Sequence, residues 1–132
     1  MMKGLSISQV AEQSGVGKEA LRYYETQGLI SATRTESGFR SFEPSVVGRL
    51  RFIKRGQQLG FSLREVAELL ALEEQPDHTS AEVREIAVKK LKEIEEKLQE
   101  LLRLKTVLSD LTSRCSGKGA LADCPIIESL RV

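Results

Sequence analysis

The sequence predicts a mainly α protein, built as a small winged helix-turn-helix head, one long helix and a short cysteine-bearing tail. Three observations carry this. Two short helical segments lie about three residues apart, the first ending at Gly15. From Thr79 to Ser113 there is no Gly or Pro, and apolar residues recur in a four-three rhythm. Both cysteines fall in the last eighteen residues.

With 132 residues, the chain can build one compact domain and one long helix but not two independent cores. The start, MMKGLSIS, has no apolar signal-like region, and no stretch approaches the roughly 18 apolar residues of a membrane span. A soluble, cytoplasmic protein without membrane contact is expected. The formal charge of +1 hides a division: residues 1–60 hold nine Lys/Arg against five Asp/Glu, and residues 61–132 eleven against fourteen. A surface for phosphates is therefore expected in the first half.

Along the chain, Ile7, Val10 and Ala11 have helical spacing between Ser6 and Ser14, and Gly15 can take the left-handed terminal position. Lys18 to Gln27 predicts a second helix closed by Gly28; the second helix of such a pair is the one that enters a major groove. Ile30 to Phe42 alternates β-formers and polar residues around Glu36-Ser37-Gly38, which predicts a hairpin flanked by Arg34 and Arg40. Beside a helix-turn-helix, such a hairpin is a wing suited to phosphate or minor-groove contact.

Pro44 suits the first turn of a third helix, marked by Val46, Val47, Leu50, Ile53 and Leu59, with Arg49, Arg51, Lys54 and Arg55 on its polar side. Gly60 stops it. Ser62 to Glu65 is a capping box opening a fourth helix, whose Val66, Leu69, Leu70 and Leu72 are expected to pack on the third. Gln75-Pro76-Asp77 breaks that helix, so the expected divisions are residues 1–75, 76–113 and 114–132.

In the long helix Ala87, Leu91, Ile94, Leu98 and Leu101 are continued by Leu104, Leu108 and Leu111. At ~1.5 Å per residue it reaches roughly 50 Å, with an apolar stripe that a small head cannot cover. A homodimeric coiled coil answers that need. Cys115 and Cys124 bracket a glycine-containing loop, followed by Pro125, Ile126, Ile127 and Leu130 as a short apolar turn. Two thiolates suit a soft cation such as Cu(I), Ag(I), Au(I) or Hg(II); closed tetrahedral Zn²⁺ would have to recruit His78, Asp123 or a partner chain. A disulfide, or two inert thiols, fits the spacing equally well.

Taken together, Leu21-Arg22-Tyr23-Tyr24-Glu25 with Gly28-Leu29-Ile30, the run Arg34 to Arg40, Leu50-Arg51-Phe52-Ile53 with Leu59-Gly60-Phe61-Ser62-Leu63, and Cys115 through Cys124-Pro125-Ile126-Ile127 resemble the MerR family of metal-responsive transcription regulators over nearly the whole chain. The resemblance implies an antiparallel coiled coil between two copies and a C-terminal metal-binding loop. It implies a dimer that binds an over-long promoter spacer, represses with its sensor site empty, and activates for RNA polymerase by bending and untwisting double-stranded DNA. It places DNA contacts at Arg22 and Tyr24 on the second helix, at Arg34 and Arg40 on the wing, and at Lys54 and Arg55.

Family members have Tyr where Phe39 and Phe42 stand, which removes two hydroxyls that could meet phosphates. Members for divalent metals also carry a third cysteine at the start of the long helix. Ser80 stands there, as in the copper, silver and gold sensors, although the loop spacing resembles the mercury and zinc branches. Ser80 can equally serve as a helix cap. With Cys115 and Cys124 as the metal ligands, Cu(I)-like ions come first and Hg(II) second, with Zn²⁺, Cd²⁺ and Pb²⁺ behind them. A thiol redox sensor of the same fold is the alternative, since the two cysteines could form a reversible disulfide. A multidrug pocket lacks chain to build it. An enzyme is not expected, because the lone His78 has no nucleophile partner.

Overall fold

The computed structural model describes residues 4–77 and 79–131; His78 lies outside them. The chain divides into two compact units, one up to Ile86 and one from Ala87, and each is described by itself.

In the first unit, α1 (Ile7–Ser14) opens on a capping box: the Ser6 hydroxyl accepts from the Gln9 amide at 3.2 Å, and the Gln9 side chain accepts from the Ser6 amide at 2.9 Å. Gly15 ends it at φ 74°, its N–H returned to Ala11. A side chain at that φ would be strained, and the sharp turn is what separates α1 from α2 (Lys18–Thr26) by so short a link. The wing is β1 (Thr33–Arg34) paired antiparallel with β2 (Arg40–Ser41), in the register Thr33 opposite Ser41 and Arg34 opposite Arg40. The paired segments are two residues each, shorter than the hairpin expected over Ile30–Phe42. The wing gains support the alternation did not reveal: Leu5 and Phe42 exchange backbone hydrogen bonds at 2.6 and 2.8 Å, tying the start of the chain to its base.

Helix α3 (Val46–Gln58) follows Ser45, and Pro44 stands in the turn ahead of it, two residues before the helix begins and so outside the expected first turn. Helix α4 (Leu63–Glu73) opens on the expected Ser62–Glu65 capping box. Val10, Leu21, Phe42, Leu50, Ile53 and Val66 are fully buried together; Val66 and Leu70 of α4 enter this core with Leu63 and Ala67 packed against it, while Leu69 and Leu72, expected to pack there, are half-buried outside it. Gly56 lets α3 and α4 approach closely.

Helix α5 (Ser80–Arg114) runs 35 residues, about 50 Å at ~1.5 Å per residue. In the second unit its Leu91, Ile94, Leu98, Leu101, Leu104 and Leu108 remain between 44% and 62% exposed, and Leu111 is buried. A 3₁₀ turn (Leu121–Asp123) and α6 (Pro125–Leu130), with Pro125 in its first turn, close the chain. Among the described residues no helix is long and apolar enough to cross a membrane.

Candidate nucleic-acid interface and thiol site

Helix α2 buries Leu21 and Tyr24 and exposes Lys18, Arg22, Tyr23 and Thr26. Arg22 is exposed, whereas Tyr24 is not: it is 8% exposed, its ring lies in the core, and its hydroxyl donates to Gln57 Oε1 at 3.0 Å. The contact expected of Tyr24 is thus replaced by a packing role, and burial raises its pKa above 10.0. Tyr23, 52% exposed, is the outward aromatic on this helix. The reason is helical phase: one stripe of α2 must cover the core, and Leu21 and Tyr24, three apart, share it.

On the wing, Arg34 is exposed, with a terminal nitrogen 3.5 Å from the Gly38 carbonyl. Arg40 is half-buried, and its Nε donates to Glu25 Oε1 at 2.7 Å, joining β2 to α2. Phe42 is buried, so a hydroxyl there would face the core, whereas Phe39 is 72% exposed at the wing tip.

Lys54 and Arg51 of α3 reach back to the end of α1, donating to the Gly15 carbonyl at 3.2 Å and the Gln13 carbonyl at 3.0 Å. Both complement the negative end of that helix. Lys54 therefore ties α3 to the turn of the helix-turn-helix, a role sequence position did not reveal. Arg55 is exposed, with one nitrogen 3.5 Å from Gln58 Oε1. Arg49 donates to the Leu29 carbonyl and is ion-paired with Glu74.

Sequence reasoning passed over Glu25 and Gln57. Glu19 is a second carboxylate on the same helix, so no signal in the sequence singles out Glu25; Gln57, beside Gln58, carries none either.

In the second unit, Cys115 directly follows α5 and Cys124 directly precedes α6. Both are free thiols, half-buried, with Sγ atoms 3.7 Å apart. The Ser116 hydroxyl accepts from the Lys118 amide at 3.2 Å and donates to the Lys118 carbonyl at 3.0 Å, folding the loop between them. Gly117 at φ 73° and Gly119 at φ 96° turn it. The amides of Ile127 and then Ile126 hold the Cys124 thiol below its ordinary value; the hydrogen bond with Cys115 adds to this, and burial opposes it.

Both sulfurs can reach one soft ion: 3.7 Å apart, with bonds of about 2.3 Å, they would subtend roughly 107° at the metal, and linear two-coordinate binding would need them to part to about 4.6 Å. Among the described residues no group of three or more His, Cys, Asp or Glu gathers, and Asp123 is exposed. Ser80 is the exposed first residue of α5. There the Glu82 carboxylate accepts the Thr79 amide at 3.2 Å, so the end is capped around Thr79.

Comparison with known proteins agrees with this arrangement. The profile for MerR HTH family regulatory proteins matches residues 5–73, and that for the MerR DNA-binding region matches residues 47–111. The chain is 43% identical over 126 residues to the HTH-type transcriptional regulator HmrR of Rhizobium leguminosarum bv. viciae, covering 96% of this chain and 97% of that one. It is 39% identical to the mercuric resistance operon regulatory protein of Bacillus cereus, covering 94% and 95%. The crystal structure of the transcription regulator PbrR691 from Ralstonia metallidurans CH34 in complex with lead(II) superposes with a TM-score of 0.85 at 28% identity, covering 96% of this chain and 98% of that one. With its helix-turn-helix, wing and long helix matched by profile, relatives and fold alike, this chain belongs to the MerR family of transcription regulators.

Proposed function

We propose that this chain is a homodimeric, metal-responsive regulator that binds double-stranded promoter DNA and activates metal-resistance genes when a soft ion is held by Cys115 and Cys124. The observation that carries the sensing half is the pair of free, half-buried thiols with Sγ atoms 3.7 Å apart, in a loop fixed at both ends by helices. The likeness to a mercuric resistance regulator and to a lead(II) complex supports a thiophilic ion. With two sulfurs and no third donor gathered among the described residues, ions content with two thiolates fit best. Ser80, in place of a third cysteine, argues for a Cu(I)-like ion; the mercuric relative argues for Hg(II). The same two sulfurs serve either. Zn²⁺, Cd²⁺ and Pb²⁺ would need donors from elsewhere.

The division of labour follows the chain. Residues 1–75 bind DNA, residues 76–113 link and dimerise, and residues 114–132 sense. Arg22 faces the groove, Arg34, Arg40 and Arg55 lie where phosphates pass, and Lys54 braces the turn. The exposed apolar stripe of α5 is covered by the same stripe of an antiparallel second copy, which sets the spacing of two half-sites. Control then works through DNA shape: the dimer holds an over-long spacer, and the loaded form bends and untwists it for RNA polymerase. The protein acts in the cytoplasm, where that DNA is.

The test is anaerobic titration of the reduced protein with Cu(I), Hg(II), Zn²⁺ and Cd²⁺ against a thiol competitor. One tightly held Cu(I) or Hg(II) per loop, lost in Cys124→Ser with DNA binding intact, is expected. No tight binding of any of them removes the metal reading. The second reading, a thiol redox sensor, is favoured by the same 3.7 Å approach and the lowered Cys124 thiol. It is separated by whether oxidation alone, without metal, reproduces the transcriptional response.

A further inference from the structure

A carboxylate on a helix that meets phosphates is an electrostatic liability unless something neutralises it. Helix α2 carries two, Glu19 in its first turn, where a negative charge suits the helix end, and Glu25 beside the wing; the structure shows what occupies Glu25: Arg40 of the wing, Nε to Oε1 at 2.7 Å, with both side chains about three-quarters covered. A guanidinium has five N–H donors, and this bond uses the one on Nε, so the two terminal nitrogens keep four. The pair is also an ion bridge between α2 and the wing. The wing itself has only two residues paired in each strand, too little ladder to fix its own direction.

We infer that Glu25 is a specificity-determining positioning residue: it holds Arg40 on α2, so that wing and recognition helix meet the duplex in one fixed register. The inference rests on the DNA-binding reading. Phosphate contacts carry no sequence information of their own, but they set the register in which base-reading side chains such as Arg22 meet the groove. An arginine already oriented loses little freedom on binding one particular phosphate. An arginine released from Glu25 can satisfy itself on any phosphate within reach. Releasing it therefore spares affinity for arbitrary DNA and lowers affinity for the one site where the register matters.

The experiment compares wild type, Glu25→Gln, Glu25→Asp, Arg40→Ala and Glu25→Gln/Arg40→Ala on two probes. One is a duplex selected by the wild-type chain from a random library; the other is poly(dI-dC). Glu25→Gln should bind poly(dI-dC) as well as wild type or better and lose about tenfold on the selected duplex, so the ratio falls about tenfold. Glu25→Asp, which keeps the charge, should recover part of that ratio. In the Arg40→Ala background, Glu25→Gln should no longer lower the ratio and should recover some affinity on both probes, because an unpaired carboxylate is removed. Urea unfolding of each free variant is the structural control. An unchanged ratio in Glu25→Gln, or equal losses on both probes tracking a loss of stability, overturns the inference. A wild-type chain that selects no duplex removes the DNA-binding reading itself.

Discussion

The Tyr24 hydroxyl donates to Gln57 Oε1 at 3.0 Å, joining the recognition helix to the end of α3 from the covered side of the head. Tyr24→Phe leaves that amide oxygen without its donor and should cost about 0.5–1.5 kcal/mol, read as a lower urea midpoint at unchanged slope. Because the ring faces the core, the salt dependence of DNA binding should not change. A shallower salt slope with unchanged stability would return Tyr24 to the phosphate-contacting surface.

Gly56 has a different constraint. A Cβ there would stand 2.8 Å from Val66 Cγ2, closer than real side chains approach, and a β-branched valine has few rotamers to escape into. Gly56→Ala gains helix propensity, yet overpacking of about 1–3 kcal/mol should outweigh it. Adding Val66→Ala should recover part of the loss, and a double-mutant cycle by chemical denaturation reads the coupling.

Lys54 separates bracing from DNA contact. Its ammonium lies 3.2 Å from the Gly15 carbonyl, at the left-handed residue that sets the angle between α1 and α2. Lys54→Met keeps the aliphatic stem and removes the charge, and should lower stability by about 0.5–1 kcal/mol. If Lys54 also meets a phosphate, the slope of log affinity against log salt becomes less negative by about one; if it only braces, that slope is kept.

What could be read from the sequence follows what local chemistry fixes. The capping box at Ser62, the left-handed Gly15 and the unbroken α5 are each decided within a few residues or by one repeating pattern, and each stands where the pattern put it. The roles of Tyr24, Arg40 and Lys54 depend instead on partners 33, 15 and 39 residues away, so their identity as polar side chains in a basic segment could not say whether they face DNA or brace the head. The same limit applies to the thiols. Spacing brought Cys115 and Cys124 under consideration, but only the turn through Gly117 and Gly119 brings the sulfurs to 3.7 Å.

The stripe on α5 predicts its own disruption. Leu98 lies mid-stripe at 53% exposure, and in a paired coiled coil two copies of it leave water. Leu98→Glu should weaken self-association at least about a hundredfold by placing carboxylates in that seam. Sedimentation velocity across a concentration series reads it. A wild-type chain that remains monomeric at tens of micromolar would remove the homodimer.

Cys124 offers a pH test. Its thiol is lowered chiefly by the Ile127 and Ile126 amides, so those contacts stabilise the thiolate and not the thiol. Between the folded value and the unfolded one near 9.0, the unfolded chain binds more protons. Stability should accordingly rise with pH across that window, and the contribution is lost as pH falls through the folded value. The measurement is iodoacetamide alkylation of metal-free Cys115→Ser as a function of pH, folded and again in urea. The folded midpoint should lie below the unfolded one, since the two amides remain when Cys115 is gone. Coincident midpoints would mean that the amides do not act on Sγ. A lowered midpoint would mean that near neutral pH fewer protons must leave when a soft ion binds, so metal affinity should fall less steeply on acidification than for an ordinary thiol pair.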